Sequence, residues 1–207
     1  MSIMPRNRDH LSRFHEAYAE IMDRIKDSID QVNEKEVLRF LDLLVKERSQ
    51  RILVLGVGRS GLIGRAFAMR LMHLGFSVYV MGETITPAIG KGDLVIAISG
   101  SGKTKLAIAA AEISKEVGAK VVAITSFPEH ELGSMADYIV KVRGRTEIAE
   151  ERDYFTRQIT GVHEPLAPLG TIFEIACTVF LDSLIPELMQ RLGITEKQLK
   201  KRHATIE

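Results

Sequence analysis

Five short apolar runs dominate the middle of this chain: Arg51-Ile52-Leu53-Val54-Leu55, Phe76 to Val80, Leu94 to Ile98, Lys120 to Thr125 and Tyr138 to Val142. Runs of this length with few interior polar residues read as strands buried on both faces. Helix-patterned stretches lie between them, and strands alternating with helices make a parallel sheet covered on both sides. The expected fold class is therefore α/β, a three-layer αβα arrangement around a five-stranded parallel sheet, preceded by a helical N-terminal extension. The 207 residues suffice for one such domain with a buried core.

The extension carries two amphipathic helices. Leu11, Phe14, Tyr18, Ile21, Ile25 and Ile29 recur at spacings of three and four, which predicts a packing seam, and Val37, Phe40, Leu41 and Leu44 line a second helix from Glu34 to Glu47. Further on, Leu106, Ala109, Ala110, Ile113 and Val117 form the apolar stripe of a helix that Gly118 is placed to end. Arg143 to Glu164 is polar, a long loop with some helix. Pro168 then opens an apolar helix to about Ile185, and a last short helix starts near Thr195. No internal repeat is present. Residues 1–207 are read as one domain, with 1–48 as helices packing on it or on another subunit and 51–207 as the ligand-binding core.

Composition narrows the partners. Lys plus Arg number 28 against 27 Asp plus Glu, without the basic excess of a nucleic-acid surface. No apolar run reaches membrane-spanning length, and Met1 to Arg6 lack the apolar stretch of a signal peptide. Cys177 is the single cysteine, so no internal disulfide forms, and a cytoplasmic location is expected.

Two of the strands end in glycine- and serine-rich loops that open helices: Gly56-Val57-Gly58-Arg59-Ser60-Gly61 and Ser99-Gly100-Ser101-Gly102-Lys103-Thr104. Such loops present free backbone N–H groups and a helix dipole at the carboxyl end of a sheet, where ligands of α/β folds bind. Each imitates a nucleotide motif. Gly56, Gly58 and Gly61 satisfy G-x-G-x-x-G, but Glu83 follows the second strand too late to hold a ribose. Gly102-Lys103-Thr104 resembles a Walker loop, yet Ala97 stands where its first glycine belongs. What remains is a set of hydroxyls, Ser60, Ser99, Ser101 and Thr104, that with backbone amides suits a phosphate without a metal. The alternative reading of these residues is ordinary turn and cap chemistry.

Ile98-Ser99-Gly100-Ser101-Gly102-x-Thr104 resembles the sugar-phosphate loop of the sugar isomerase (SIS) superfamily, whose sheet is flavodoxin-like. More narrowly, Gly58-Arg59-Ser60-Gly61, Phe67 to Gly75, Gly82-Glu83-Thr84-x-Thr86-Pro87, Pro168-Leu169-Gly170-Thr171-x-Phe173-Glu174 and Arg202-His203-Ala204 resemble the 6-phospho-3-hexuloisomerases. The resemblance runs from Arg51 to Glu207 and more loosely over the N-terminal helices; Thr205-Ile206 replace the Asn-Leu that the family often has. It implies interconversion of 3-hexulose 6-phosphate and fructose 6-phosphate through a cis-enediolate in the ribulose monophosphate pathway. That pathway serves formaldehyde assimilation or pentose supply. The family needs no metal or cofactor and forms oligomers, commonly homotetramers. Another SIS aldose–ketose isomerase and a non-catalytic sugar-phosphate sensor are the alternatives.

Moving a carbonyl from C3 to C2 takes a proton from C2 and returns one to C3. A carboxylate in a dry setting serves as the base. Glu174, on an apolar helix, is the candidate, although Thr171-x-x-Glu174 also fits a capping box. His203 is the candidate acid/base partner, on a tail that could reach a neighbouring subunit's site. Gly58, Arg59, Ser60, Glu83, Ser99, Gly100, Ser101, Gly102, Lys103 and Thr104 are the candidate substrate-binding residues. Glu83 is suited to sugar hydroxyls and Arg59 to the phosphate or a surface pair. His10, His15, His73, His130 and His163 show no metal spacing, Cys177 reads as packing, and Lys200-Lys201-Arg202 as the complement of a helix C-terminus.

Overall fold

The computed structural model describes residues 11–144 and 170–203. Two helices, α1 (Ser12–Asp30) and α2 (Glu34–Lys46), precede β1 (Arg51–Gly56), α3 (Arg59–Leu74), β2 (Ser77–Val80), β3 (Leu94–Ile98), α4 (Lys105–Glu116), β4 (Lys120–Thr125), α5 (Glu131–Met135) and β5 (Tyr138–Lys141). Two more, α6 (Thr171–Leu192) and α7 (Glu196–Lys200), complete the described chain. The five strands are parallel in the order β2-β1-β3-β4-β5. The order reverses between β1 and β3, so their carboxyl ends flank the crevice where open sheets take ligands.

Alternate residues of each strand feed two cores. Ile52, Val54, Leu94, Ile96, Ile98, Val122, Ile124 and Val140 face α2, α3 and α6. Leu53, Leu55, Val95, Ala97, Val121 and Ala123 face α4 and α5. Every residue of β3 is fully buried, and each such large aliphatic contributes about 1.5–3 kcal/mol over an exposed one. The strand runs predicted from sequence therefore stand, within a residue at their ends. No helix among the described residues is long and apolar enough to cross a membrane.

Three sequence expectations change. On α4 the buried residues are Ala107, Ala111 and Ser114, while Leu106, Ile113 and Val117 of the expected stripe are exposed. The sheet beneath presents Ala97 and Ala123, and small side chains on both layers let helix and sheet approach closely. The seam on α1 is divided: Ile25 is buried and Ile29 packs on the core, but Leu11, Phe14 and Tyr18 are exposed. The apolar helix does not stop near Ile185; α6 continues through Pro186 to Leu192, because Leu188 is fully buried beyond it. The expected start of that helix at Pro168, and all of the Arg143–Glu164 loop past Gly144, lie outside the described residues.

Candidate active site

The first loop is built around contact between Gly56 and Gly61. A Cβ on Gly56 would stand 2.7 Å from the Ser60 carbonyl carbon, and one on Gly61 would stand 2.8 Å from the Gly56 oxygen. These glycines let the first turn of α3 sit on the end of β1. That steric need explains why the segment imitates a dinucleotide fingerprint. Ser60 is buried at this turn, and Arg59 extends from its surface.

The second loop is fastened from behind by the segment joining β4 to α5. Three successive carbonyls, of Gly100, Ser101 and Gly102, accept from the Ser126 N–H (3.2 Å), His130 Nδ1 (2.7 Å) and the Leu132 N–H (3.1 Å). Ser99 N–H donates to the Ile124 carbonyl at 3.0 Å. With the carbonyls drawn toward β4, the N–H groups of Gly100, Ser101 and Thr104 have no backbone acceptor among the described residues. Ser99 and Thr104 hydroxyls are 3.0 Å apart, and the Ser101 hydroxyl accepts from the Lys103 N–H at 3.3 Å. Lys103 itself is exposed. Hydroxyls and unpaired amides at the start of a twelve-residue helix form an anion cradle.

His130 was not singled out as functional by sequence. Its Nδ1 meets a carbonyl, which only accepts, so Nδ1 carries the hydrogen. The ring stacks on Phe127 with centroids 4.8 Å apart, which fixes its orientation. No local pattern announces a bond that spans 29 residues.

Glu174 lies in the first turn of α6, 7% exposed among apolar neighbours. The capping-box reading fails: Gly170 is the N-cap, in left-handed conformation (φ 87°), and Thr171 is already inside the helix. The side chain turns instead toward α3, where Oε2 lies 2.6 Å from Arg59 Nε. Yet among the described residues Oε2 is buried without a hydrogen bond, because the guanidinium N–H is not aimed at it. The contact is an ion pair in separation and not in alignment. On the other side, a Cβ on Gly170 would come within 2.9 Å of Oε1. The helix entry is thus shaped to give the carboxylate room. The capping box occurs elsewhere, between Thr195 and Gln198 at the start of α7.

Glu83 follows β2 and pairs with Arg65 of α3 at 3.1 Å, both about half exposed. Gly58, Arg59, Ser60, the Ser99–Thr104 loop, Glu83 and Glu174 therefore gather at the carboxyl end of the sheet. His203 does not join them. Its ring stacks on His73, with centroids 4.0 Å apart, at the far end of α3. The fourteen steps from Arg59 to His73 span about 21 Å of helix. Arg202 anchors this tail by donating to the His73 carbonyl at 2.9 Å, so it complements the C-terminus of α3, while Lys200 lies in the last turn of α7.

A cavity of about 500 Å³ opens between α1, the ends of β4 and β5 and the start of α6; Arg24, Ser28, Ser126, Lys141 and Arg143 are among its lining residues. None of the candidate site residues borders it. Cys177 is fully buried in α6, where burial, with a smaller contribution from Glu174, pushes its thiol well above the ordinary value. It is inert packing. Among the described residues no group of three His, Cys, Asp or Glu is placed to hold a metal ion.

Comparison with known proteins sets this geometry in context. The SIS domain family matches residues 43–160. An uncharacterised protein of Aeropyrum pernix is 53% identical over 91% of this chain and 90% of its own. The 3-hexulose-6-phosphate isomerase of Bacillus subtilis is 35% identical over 93% of this chain and 98% of its own. Among solved structures, a Methanococcus jannaschii protein with an inferred molecular function of 3-hexulose-6-phosphate isomerase superposes with a TM-score of 0.71. It is 32% identical and the match covers 94% of this chain and 98% of that one.

Proposed function

This chain belongs to the SIS domain family, alongside its 3-hexulose-6-phosphate isomerases, and from that premise we propose that it interconverts 3-hexulose 6-phosphate and fructose 6-phosphate. The observation that carries the reading is the pairing at one sheet end of an anion cradle with a buried, incompletely partnered carboxylate. The cradle of Ser99, Ser101 and Thr104, with Ser60 beside it, holds the phosphate and so fixes the sugar chain. Glu174 takes the proton from C2; the electron pair moves onto the C3 carbonyl oxygen and gives a cis-enediolate. The same carboxylate returns a proton to C3 while the hydroxyl proton passes from O2 to O3. Binding energy from the remote phosphate orients the reacting carbons. Glu83, half exposed at the rim, hydrogen-bonds sugar hydroxyls.

His203 serves as the proton-relay partner only across a subunit boundary, since within one chain it lies at the opposite end of α3. A homotetramer fits this arrangement. Leu11, Phe14, Tyr18 and Met22 form one exposed apolar stripe on α1, and Leu106, Ile113 and Val117 another on α4. Such area on a chain of this size favours burial against further copies. In the cell the reaction belongs to the ribulose monophosphate pathway in the cytoplasm.

The test is direct. The purified protein converts 3-hexulose 6-phosphate to fructose 6-phosphate without added metal or nucleotide, followed by NMR of the sugar carbons. A folded preparation that leaves the substrate unchanged refutes the assignment, and turnover of arabinose 5-phosphate in its place points to another SIS isomerase.

A further inference from the structure

We infer that Arg59 is a two-position residue that covers the Glu174 carboxylate in the empty site and leaves it for the phosphate of the bound sugar. This rests on the assignment of Glu174 as the base. Three observations carry it. First, Glu174 Oε2 is buried, its side chain 8% exposed, and has no hydrogen bond although Arg59 Nε is 2.6 Å away. An oxygen held this way is occupied by charge without being satisfied. Second, the Arg59 side chain is 55% exposed, and among the described residues Glu174 is the one carboxylate it pairs with. Third, Arg59 begins α3 directly beside Gly58 and Ser60, at the switch point between β1 and β3. The Ser99–Thr104 cradle opens from β3, the strand next to β1.

The cradle offers hydroxyls and amides, and its own lysine, Lys103, is exposed. Among the described residues, the cradle itself gives a phosphate dianion seated there no buried cation. Arg59 follows β1, the strand beside β3, and a dianion that accepts two parallel N–H bonds outcompetes a misaligned carboxylate contact. Once Arg59 has moved, Oε2 is uncovered and open to the sugar carbons. Phosphate occupancy and proton abstraction are thereby coupled through one side chain. A sugar without phosphate leaves Arg59 on Glu174 and meets a covered base.

The coupling is separable from binding by cutting the substrate in two. D-xylulose reproduces carbons 1 to 5 of fructose without the phosphate, and phosphite supplies the dianion. In D2O, Glu174 removes the C3 proton, the bond's electron pair passes to the C2 carbonyl oxygen, and a deuteron from solvent returns through the carboxyl group to C3. With the native protein, phosphite is expected to accelerate this exchange roughly fivefold or more, the usual lower range of site-to-site coupling. In Arg59→Ala the exchange without phosphite rises above that of the native protein, and phosphite no longer accelerates it. An Arg59→Ala rate without phosphite equal to or below the native rate overturns the proposal, as does retained acceleration. If exchange is too slow to detect in both proteins, the proposal is rejected as well, since uncovering the base then yields nothing.

A second readout does not involve turnover. The 15N signal of Arg59 Nε is expected to shift between the native protein and Glu174→Gln in phosphate-free buffer. It then becomes the same in both once inorganic phosphate saturates the cradle. A signal that ignores phosphate refutes the movement. Failure of the function itself looks different, because the intact sugar phosphate would then not turn over at all.

Discussion

Two buried carboxylates, at opposite ends of one sheet, are treated in opposite ways. Asp93 at the amino end of β3 is 3% exposed and fully partnered: its oxygens accept from the Arg51 N–H (3.1 Å) and the Gly90 N–H (2.9 Å), and Arg51 Nη2 lies 3.0 Å away. Glu174 at the carboxyl end is 7% exposed and keeps one oxygen without a hydrogen bond. Burying a charge is costly, and the usual remedy is complete pairing. Asp93 follows the remedy and ties β1 to the approach of β3. Glu174 departs from it where a ligand arrives. The contrast separates a group that holds the fold from one that, under the proposed function, is kept for chemistry.

That contrast breaks most readily at Glu174. Glu174→Gln is expected to lower kcat by about 10²–10⁴, the range for loss of a general base, while the melting temperature moves by less than about 2 °C. Steady-state kinetics on the sugar phosphate beside a calorimetric scan gives both numbers. Normal turnover removes the base, and a large loss of stability would make Glu174 a structural residue like Asp93. Asp93→Ala is the mirror experiment. Leaving Arg51 and two part-buried N–H groups without Asp93 costs about 3 kcal/mol, roughly 6–12 °C in melting temperature for a chain of this size. Its kcat and KM at a permissive temperature stay at native values; a change in either would erase the division between the two ends.

The smallest effect sharpens the picture at the cradle. His130→Ala removes the donor to the Ser101 carbonyl and is expected to raise KM about three- to tenfold, with kcat nearly unchanged. His130→Asn, whose amide reaches the position of Nδ1, restores KM. Loss in both variants would mean that the ring's stacking on Phe127, and not its hydrogen bond, supports the loop.

Strand positions were readable because a strand buried on both faces has no polar alternation to obscure it, as in Leu94 to Ile98. The α4 face was not, since hydrophobicity ranks Leu106 and Ile113 above Ala107 and Ala111, whereas close packing on Ala97 and Ala123 selects the small residues. Glu174 was legible as a candidate from its apolar helix, but Thr171 pointed to a capping role that Gly170 takes over in the folded chain. The place of His203 depends on His73, 130 residues earlier in the chain, and no local pattern encodes that stack. The hydroxyls of the cradle were visible in sequence; the ties from Ser126, His130 and Leu132 that orient them arise only when β4 lies beside β3.

Those ties bear on the entropy of binding. A loop whose three successive carbonyls are already held from behind has little freedom left to lose when a phosphate arrives. Ordering is completed during folding, once for the lifetime of the protein, and not at each encounter. Under the proposed function, the free energy of phosphate contact then remains available to hold C2 and C3 against the carboxylate, turnover after turnover.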